Sequence, residues 1–568
     1  MPMPNSSSPS PHDTYTSPLA SRNASPAMLK LWSARHKFNT WRRIWLAVAE
    51  AQYEVTKDWG QEKGGAGGGG ESGGPLAGGR GSSGPLVTKA QVEALRKVVE
   101  RESGITDAEL ERAAELEREL RHDVMAHVHC LGESCPEAKG IIHLGCTSQD
   151  VVCNADLFIM HEATDQIVAK VVRVISALGE QASGWLRVPT LGFTHYQPAQ
   201  PVTVGRRLAY WACELTTVHT SIDNSTGWDR RWRGLRGATG TQASFLELLN
   251  GNDTDVDRLE NYFFQSFIYG EDLSALDEDG ISYGTSDVDI DMQELDDETE
   301  LPESFSITLR AGTEIWELTG QTYPRIHDAM VLADLASVAA VLHKIATDIR
   351  LLSNRKELDE PFGDKQIGSS AMPYKRNPMK CERICGLSRF VMNLVGNAYD
   401  TAATQWLERT LDDSSNRRLS LPEAFLALDG ALDLMHEVAS GLVVHEAMVR
   451  KNLMAELPFL ATENILMAAV RAGGDRQELH EKIRVHAQAA GMRVKQEGLE
   501  NDLIERLRAD AAFASVHHLL TEDALLDPMR YVGRSVEQTE RFVEEVVEPL
   551  RERYEEELRE LGSSDRGV

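Results

Sequence analysis

Residues 323–352 read YPRIHDAMVLADLASVAAVLHKIATDIRLL, and they carry the clearest indication of the fold class. Its apolar residues recur every three or four positions, so they form one stripe along a helix. The stripe consists of Leu332, Leu335, Val338, Ala339, Leu342, Ile345 and Ile349. A lone helix cannot bury such a stripe, and we therefore expect it to pack against other long helices as a bundle.

The same spacing runs through much of the chain, whereas strand-like alternation is short and rare. It is clearest over residues 40–57, 155–185 and 423–441. A chain of 568 residues can bury a large core and has room for more than one domain. We predict an all-α protein with a central bundle of long helices.

The net charge and the cysteine content indicate which binding partners and which cellular compartment to expect. The formal net charge of −29 disfavours nucleic-acid binding, which needs a clustered positive surface. Seven sparse cysteines are typical of reduced thiols in a cytosolic protein. Residues 1–11 lack the layout of a signal peptide, and no apolar run reaches the roughly 18 residues of a membrane helix. We expect a cytoplasmic protein with neither a nucleic-acid nor a membrane partner.

Two segments differ in composition from the rest. Residues 60–85 are dominated by glycine and predict a flexible linker, whereas residues 269–303 are acidic and predict a solvated insertion. The run Asp287-Val288-Asp289-Ile290-Asp291 resembles a calcium loop, but Met292 stands where that loop needs glycine. We interpret both segments as surface expansions.

The loop Gly368-Ser369-Ser370-Ala371-Met372-Pro373-Tyr374-Lys375-Arg376-Asn377-Pro378 carries the strongest indication of chemistry. The loop holds hydroxyls, two cations and an amide. Gly368 gives its backbone freedom, whereas Pro373 and Pro378 restrict it. Such a set suits deprotonation of a carbon beside a carboxylate, although Gly-Ser-Ser and Asn-Pro are also ordinary loop residues.

A second string, TLGFTHYQPAQ at residues 190–200, places His195 among hydroxyls and amides. Because the pKa of an unperturbed histidine lies near neutrality, His195 is a natural proton donor. A structural histidine is the alternative.

Three further clusters suit anions. Arg121, His122 and Asp123 follow one another, and Thr147 and Ser148 stand where a helix N-terminus is also expected. Zinc binding by His122 and His129 lacks a third ligand at metal spacing. Arg409, Ser414 and Arg418 bring two guanidinium groups and a hydroxyl together, which suits a phosphate, with a solvated charged turn as the alternative.

Together these motifs resemble the fumarase/aspartase superfamily, and within it the adenylosuccinate lyase family. The closer likeness depends on SPLASR at 17–22, RHD at 121–123, GQTY at 320–323, residues 409–418 and ATEN at 461–464. The resemblance implies three helical domains, at residues 1–147, 148–444 and 445–568. It also implies a homotetramer whose bundle forms the core and whose active sites are each shared by three subunits.

The implied reaction is a C–N elimination that releases fumarate in purine biosynthesis. The family cleaves adenylosuccinate to AMP, and the succinylated ribotide SAICAR to AICAR, without a metal or organic cofactor. By the family pattern Ser369 is the base, assisted by Lys375, and His195 is the acid, oriented by Glu382. His122 is a second candidate for the acid.

The resemblance also implies a set of substrate-binding residues. Thr147, Ser148, Lys375 and Asn377 would hold the succinyl carboxylates, with Gln321 nearby. The nucleotide would be held by Arg22, Arg121, His122, Asp123, Arg383, Arg409, Ser414 and Arg418. Asn23 departs from the family, which commonly has tyrosine there, so the contact at that position is in question.

Other superfamily members share the loop chemistry, namely argininosuccinate lyase, fumarase and aspartase. They have no need for a phosphate grip at residues 409–418. A structural or binding relative that has lost activity is the alternative from another class, and the intact Ser369, Lys375, His195 and Glu382 argue against it.

Overall fold

The structure is a computed structural model that describes residues 13–59, 84–223, 231–270, 314–363, 365–521 and 527–562. The glycine-rich segment and the acidic insertion, with its calcium-like run, lie almost wholly outside the described residues. The first helices are α1 (Pro26–Leu31), α2 (Ala34–Thr56), α3 (Lys89–Val99), α4 (Asp107–Leu120), α5 (Asp123–Ser134), α6 (Ser148–Gly184), α7 (Val204–Asp223), α8 (Ala243–Leu248) and α9 (Asp253–Phe264).

The remaining helices follow in the second half of the chain. They are α10 (Ile326–Asn354), α11 (Met379–Ala403), α12 (Asp412–Ser440), α13 (Glu446–Leu460), α14 (Thr462–Arg471), α15 (Arg476–Met492), α16 (Leu503–Ala509), α17 (Ser535–Phe542), α18 (Glu548–Arg553) and α19 (Glu555–Gly562). The prediction of an all-α protein is therefore confirmed.

Five long helices form the bundle. Helix α10 packs against α7, α11 and α12, and α6 packs against α7 and α12. The stripe predicted on α10 is buried along its whole length, from Leu332 to Ile349. By length and composition, residues 326–354 and 446–471 are also apolar enough to cross a membrane, but the first of these is the core helix of the bundle.

Six short strands accompany the helices in the described part of the chain. They are β1 (Pro189–Thr194), β2 (Gln197–Thr203), β3 (Arg231–Trp232), β4 (Glu314–Ile315), β5 (Leu358–Asp359) and β6 (Val443–Val444). Strands β1 and β2 form an antiparallel hairpin in which Thr194 pairs with Gln197. The hairpin projects from the bundle between α6 and α7, and it packs against α13.

Apolar burial divides the molecule differently from the predicted domains. One core contains residues between Met28 and Val449 together with Val547 and joins α2 to the bundle, whereas residues 461–520 enclose a second core of their own. The predicted boundaries fall beside the starts of α6 and α13. The three-domain division stays a prediction.

Candidate active site

A cavity of about 300 Å³ lies where α1 and α2 meet α6 and the start of α12. Arg409, Ser414 and Arg418 all line it, although the sequence alone left a solvated turn open for this segment. Because α12 begins at Asp412, Ser414 and Arg418 are one helical turn apart and share a face. The other polar lining residues are Lys37, Gln149, Asp156, Arg325, Asp413 and Arg417.

Arg409 is held at the cavity by two side chains. Its Nη1 donates to Oε1 of Gln321 at 3.0 Å, and its Nη2 lies 3.4 Å from Asp413. The structure thus brings the predicted residues Gln321 and Arg409 together, although they are far apart in the chain. The Nε of Arg409 is buried and has no partner among the described residues.

Asp123 reaches the same cluster through Arg418, whose Nη2 donates to the carboxylate at 2.6 Å. Burial would raise the pKa of Asp123, but the hydrogen bond and charge of Arg418 outweigh it and hold the pKa below its ordinary value. The carboxylate therefore stays ionised and fixes the position of the Arg418 guanidinium.

His122 caps α5 and does not lie on it, so it shares no helical face with His129. Its Nδ1 accepts a hydrogen bond from the Met125 amide at 3.3 Å, so the neutral ring carries its proton on Nε2. Arg121 precedes it in a left-handed conformation with φ of 56° and is exposed. In the described ranges, no group of three His, Cys, Asp or Glu side chains is placed to hold a metal ion.

Buried ion pairs in the cavity wall were not predicted from the sequence. Arg417 donates to Asp328 at 2.6 Å and to Asp156 at 2.8 Å, and Arg325 donates to Asp413 at 2.8 Å. Such pairs are costly to break, because one partner would be left as an uncompensated buried charge. They make a rigid wall that places cations at the cavity before any ligand arrives. The sequence signal was that Arg417 and Asp413 lie within the 409–418 motif.

The Ser369 loop is ordered by its own backbone and side chains. Ser369 Oγ accepts a hydrogen bond from the Met372 amide at 3.2 Å, and Asn377 Nδ2 donates to the Gly368 carbonyl at 2.9 Å. A Cβ on Gly368 would lie 2.1 Å from the carbonyl oxygen of Lys375, so close approach of two backbone segments explains this glycine. Lys375 is exposed.

Glu360 anchors the C-terminal end of this loop, and it was not predicted from the sequence. Its two carboxylate oxygens accept hydrogen bonds from the amides of Lys380 and Cys381 at 3.0 and 2.9 Å. The side chain is buried, and it satisfies two of the free amides in the first turn of α11. The two ends of the loop are therefore tied together.

His195 sits at the tip of the β1–β2 hairpin. His195 and Tyr196 both adopt left-handed backbone conformations, with φ of 53° and 56°, and form the two-residue connection. Glycine or asparagine usually fills such a turn, so this turn could not be predicted from the sequence. Backbone strain of this kind is characteristic of functional sites. Both residues are exposed.

A single chain does not bring all the predicted residues together. Glu382 faces Arg350, at 3.8 Å, and makes no hydrogen bond to His195, and the neighbouring Arg383 is exposed. Thr147 is the N-cap of α6 and Ser148 its first residue. The Thr147 amide donates to Asp150 at 2.7 Å.

Arg22 and Asn23 pack against the middle of α12, whereas the cavity lies at the start of this helix. The carbonyl of Asn23 would be 2.5 Å from a Cβ on Gly430, and its side chain donates to the Pro18 carbonyl at 2.8 Å. Gly430 is about 18 Å along the helix from Arg418 at 1.5 Å per residue. Neither residue lines the cavity of its own chain.

The fold and these segments define a lyase. Residues 85–243 and 298–393 match the family model described as Lyase. A fumarate lyase from Mesorhizobium sp. BNC1 shares the fold with a TM-score of 0.68 at 19% identity, over 92% of this chain and 98% of the other. A 3-carboxy-cis,cis-muconate lactonizing enzyme from Pseudomonas putida shares it with a TM-score of 0.66 at 21% identity, over 94% and 99%.

More similar sequences identify the family. Residues 458–542 match the model of the adenylosuccinate lyase C-terminus. Curated adenylosuccinate lyases from Saccharomyces cerevisiae and Schizosaccharomyces pombe are each 43% identical to this chain, over 94% of it and 95% of theirs. One from Schistosoma mansoni is 36% identical over 96% and 97%. The chain belongs to the adenylosuccinate lyase family.

Proposed function

We propose that this chain cleaves adenylosuccinate to AMP and fumarate, and SAICAR to AICAR and fumarate, in purine nucleotide biosynthesis. The observation that carries the proposal is the cavity lined by Arg409, Ser414 and Arg418. Two guanidinium groups and a hydroxyl match the oxygens of a nucleotide phosphate. Lyases that act on substrates without a phosphate have no use for this arrangement.

In the proposed mechanism Ser369 removes a proton from the carbon beside a succinyl carboxylate. The electron pair is held in an aci-carboxylate and then forms the double bond of fumarate as the C–N bond breaks. Ser369 acts as an alkoxide, which needs donors around its oxygen. The Met372 amide is one such donor, and Lys375 supplies positive charge in the same loop.

His195 protonates the departing nitrogen, and Glu382 orients and charges its imidazole. Because Glu382 faces Arg350 within its own chain, the proposal requires the two catalytic groups to meet across subunits. His122 is the second candidate for the acid, and its exposed Nε2–H is available for that role.

The remaining predicted residues bind substrate. Thr147 and Ser148, at the positive end of α6, hold a succinyl carboxylate together with Lys375 and Asn377. Helix α6 is 37 residues long, so its N-terminus, with Thr147 and Ser148, lies far from its C-terminus at the other end of the bundle. The nucleotide is held by Arg22, Asn23, Arg121, His122, Asp123, Gln321, Arg383, Arg409, Ser414 and Arg418.

We propose a homotetramer with shared active sites. The bundle helices leave large apolar side chains exposed, including Tyr210, Ile326, Met330, Phe390 and Tyr399. Such a surface on long helices favours burial against further copies of the same helices. The exposed positions of His195, Lys375 and Arg22 also favour completion of the site by neighbouring subunits.

We further propose that the enzyme works in the cytoplasm on small molecules, without a metal, an organic cofactor, a nucleic acid or a membrane. The support is the cysteine content, the acidic charge and the family chemistry, in which side chains alone move the protons.

The deciding experiment supplies purified protein with adenylosuccinate, SAICAR and argininosuccinate in turn and follows fumarate by ultraviolet absorbance. We expect fumarate from the first two substrates. Release from argininosuccinate alone, or from none of the three, would overturn the proposed function.

A further inference from the structure

Lys37 lines the cavity, and neither the sequence motifs nor the family relation assigns it a role. It lies in the first turn of α2, which begins after Ser33, where its amide donates to the Ser33 carbonyl at 3.1 Å. Its Nζ lies 5.1 Å from the centre of the Trp41 ring and 5.7 Å from that of Phe38. These rings hold the ammonium group by cation–π contact without neutralising it.

The two carboxylates that act electrostatically on Lys37 already accept hydrogen bonds from arginines. Asp156 accepts from Arg417 at 2.8 Å, and Asp123 accepts from Arg418 at 2.6 Å. Among the residues that the structure describes, no carboxylate forms an ion pair with Lys37. In the described part of the chain, Lys37 therefore has no ion pair of its own on the wall of a cavity that also carries Arg409 and Arg418.

Two other donors on the cavity lining are also unused. Nη1 of Arg325 and Nε of Arg409 are buried and have no hydrogen-bond partner among the described residues. Arg325 as a whole is only 5% exposed. A buried donor without a partner costs stability, as does a buried charge, and an incoming anion would relieve both.

Burial lowers the pKa of Lys37, and the charges of Arg418 and Arg417 lower it further, although Asp156 and Asp123 raise it. A phosphate dianion would act in the opposite direction, because an adjacent negative charge favours the ammonium form.

We propose that Lys37 is an additional phosphate-binding residue of this site, and that it holds the nucleotide phosphate together with Arg409, Ser414 and Arg418. This inference rests on the proposed function. It places part of the phosphate grip on α2 and the rest at or just before the start of α12, so that elements far apart in the sequence share one anion.

The test replaces Lys37 with methionine, which keeps the length of the side chain and removes its charge. Loss of a hydrogen bond to a charged group should raise the KM for adenylosuccinate by about 10- to 100-fold. The inhibition constant of inorganic phosphate should rise by a similar factor, whereas that of fumarate, which lacks a phosphate, should not change. Lys37→Arg should restore most of the phosphate sensitivity.

Lys97→Met is the matched control, because Lys97 is an exposed lysine on α3 outside the cavity. It removes the same charge from the molecule and should leave both inhibition constants unchanged. Phosphate should also raise the melting temperature of the wild type and of Lys97→Met more than that of Lys37→Met. If Lys37→Met does not fold, Lys37→Gln is measured in its place.

The outcomes separate the two proposals. A wild-type protein that releases no fumarate from adenylosuccinate would overturn the proposed function. An active wild type whose phosphate inhibition is unchanged in the Lys37 variant would overturn this inference alone. Equal weakening of phosphate and fumarate would also overturn it, since Lys37 would then act on the whole site.

Discussion

The cavity proposed to bind phosphate and the segments proposed to be catalytic are built in opposite ways. The cavity is walled by buried ion pairs within one chain, such as Arg417 with Asp328 and Arg325 with Asp413. His195 and Lys375, in contrast, are exposed on separate projections, and Glu382 faces Arg350. This difference supports the proposal that one subunit holds the nucleotide phosphate, whereas the elimination needs the segments of several subunits.

The largest effect should come from Ser369→Ala. Removal of the base should lower kcat by about 10²- to 10⁴-fold while adenylosuccinate still binds, because the phosphate cavity is untouched. Steady-state kinetics and a direct binding measurement check this. Ser370→Ala is the matched control, and it should lose far less activity. Near-normal turnover of Ser369→Ala would remove Ser369 as the base.

The opposite pattern is expected from Arg418→Met. This change removes a cation from the cavity and leaves Asp123 without its 2.6 Å partner. The KM for adenylosuccinate should rise by about 10- to 100-fold with a smaller change in kcat, since the base and acid are elsewhere. Arg484→Met, at an exposed helix pair with Glu481, is the control. A fall in kcat without a rise in KM would contradict the proposal that Arg418 binds substrate and takes no part in proton transfer.

Glu360→Gln tests how the catalytic loop is held. Glutamine can accept only one of the two amide hydrogen bonds, so we expect a loss of about 1–3 kcal/mol of local stability and about a tenfold fall in kcat. The KM should change less, because Glu360 is not part of the cavity lining. Glu446→Gln removes an exposed carboxylate from the first turn of α13 and should have little effect. A rise in KM alone would contradict a role in positioning Ser369.

The smallest effect concerns the packed wall near the cavity. His127 stacks on Phe38 at 3.7 Å, and burial, followed by the charge of Arg42, lowers its pKa from 6.5 to about 4. The unfolded chain therefore binds more protons between these values, so stability is lost as the pH falls from 6.5 towards 4.

The loss from this one histidine should reach at most about 3 kcal/mol. His127→Phe keeps the ring stack, and its melting temperature should fall less than that of the wild type between pH 7 and pH 5. Burial also lowers the pKa of His436 to about 4. Part of the pH dependence of stability should therefore remain in both proteins. An identical pH dependence in the two proteins would count against His127.

The bundle could be predicted from the sequence because its cause is local. The stripe on α10 repeats over many turns, and burial against other long helices is the only way to satisfy it. The grouping of Ser414 and Arg418 was predictable for the same reason, since they are one turn apart on α12, whereas Arg409 precedes this helix.

Residues whose roles arise from tertiary contacts could not be predicted in this way. Lys37, Arg325 and Glu360 have ordinary sequence surroundings, and their partners or neighbours come from other helices. The hairpin turn at His195 and Tyr196 lacks the usual turn residues. The close approach of Gly368 to the Lys375 carbonyl likewise arises from the folded loop and not from the local sequence.

Hybrid oligomers test whether catalytic groups from different subunits meet in one active site. Ser369→Ala and His195→Ala chains carrying different tags are co-expressed, and assemblies that contain both are isolated through the two tags in sequence. Each parent alone should be almost inactive. We predict that the hybrids release fumarate from adenylosuccinate, because some sites combine an intact Ser369 with an intact His195. Hybrids that contain both chains and remain as inactive as the parents would contradict the shared site.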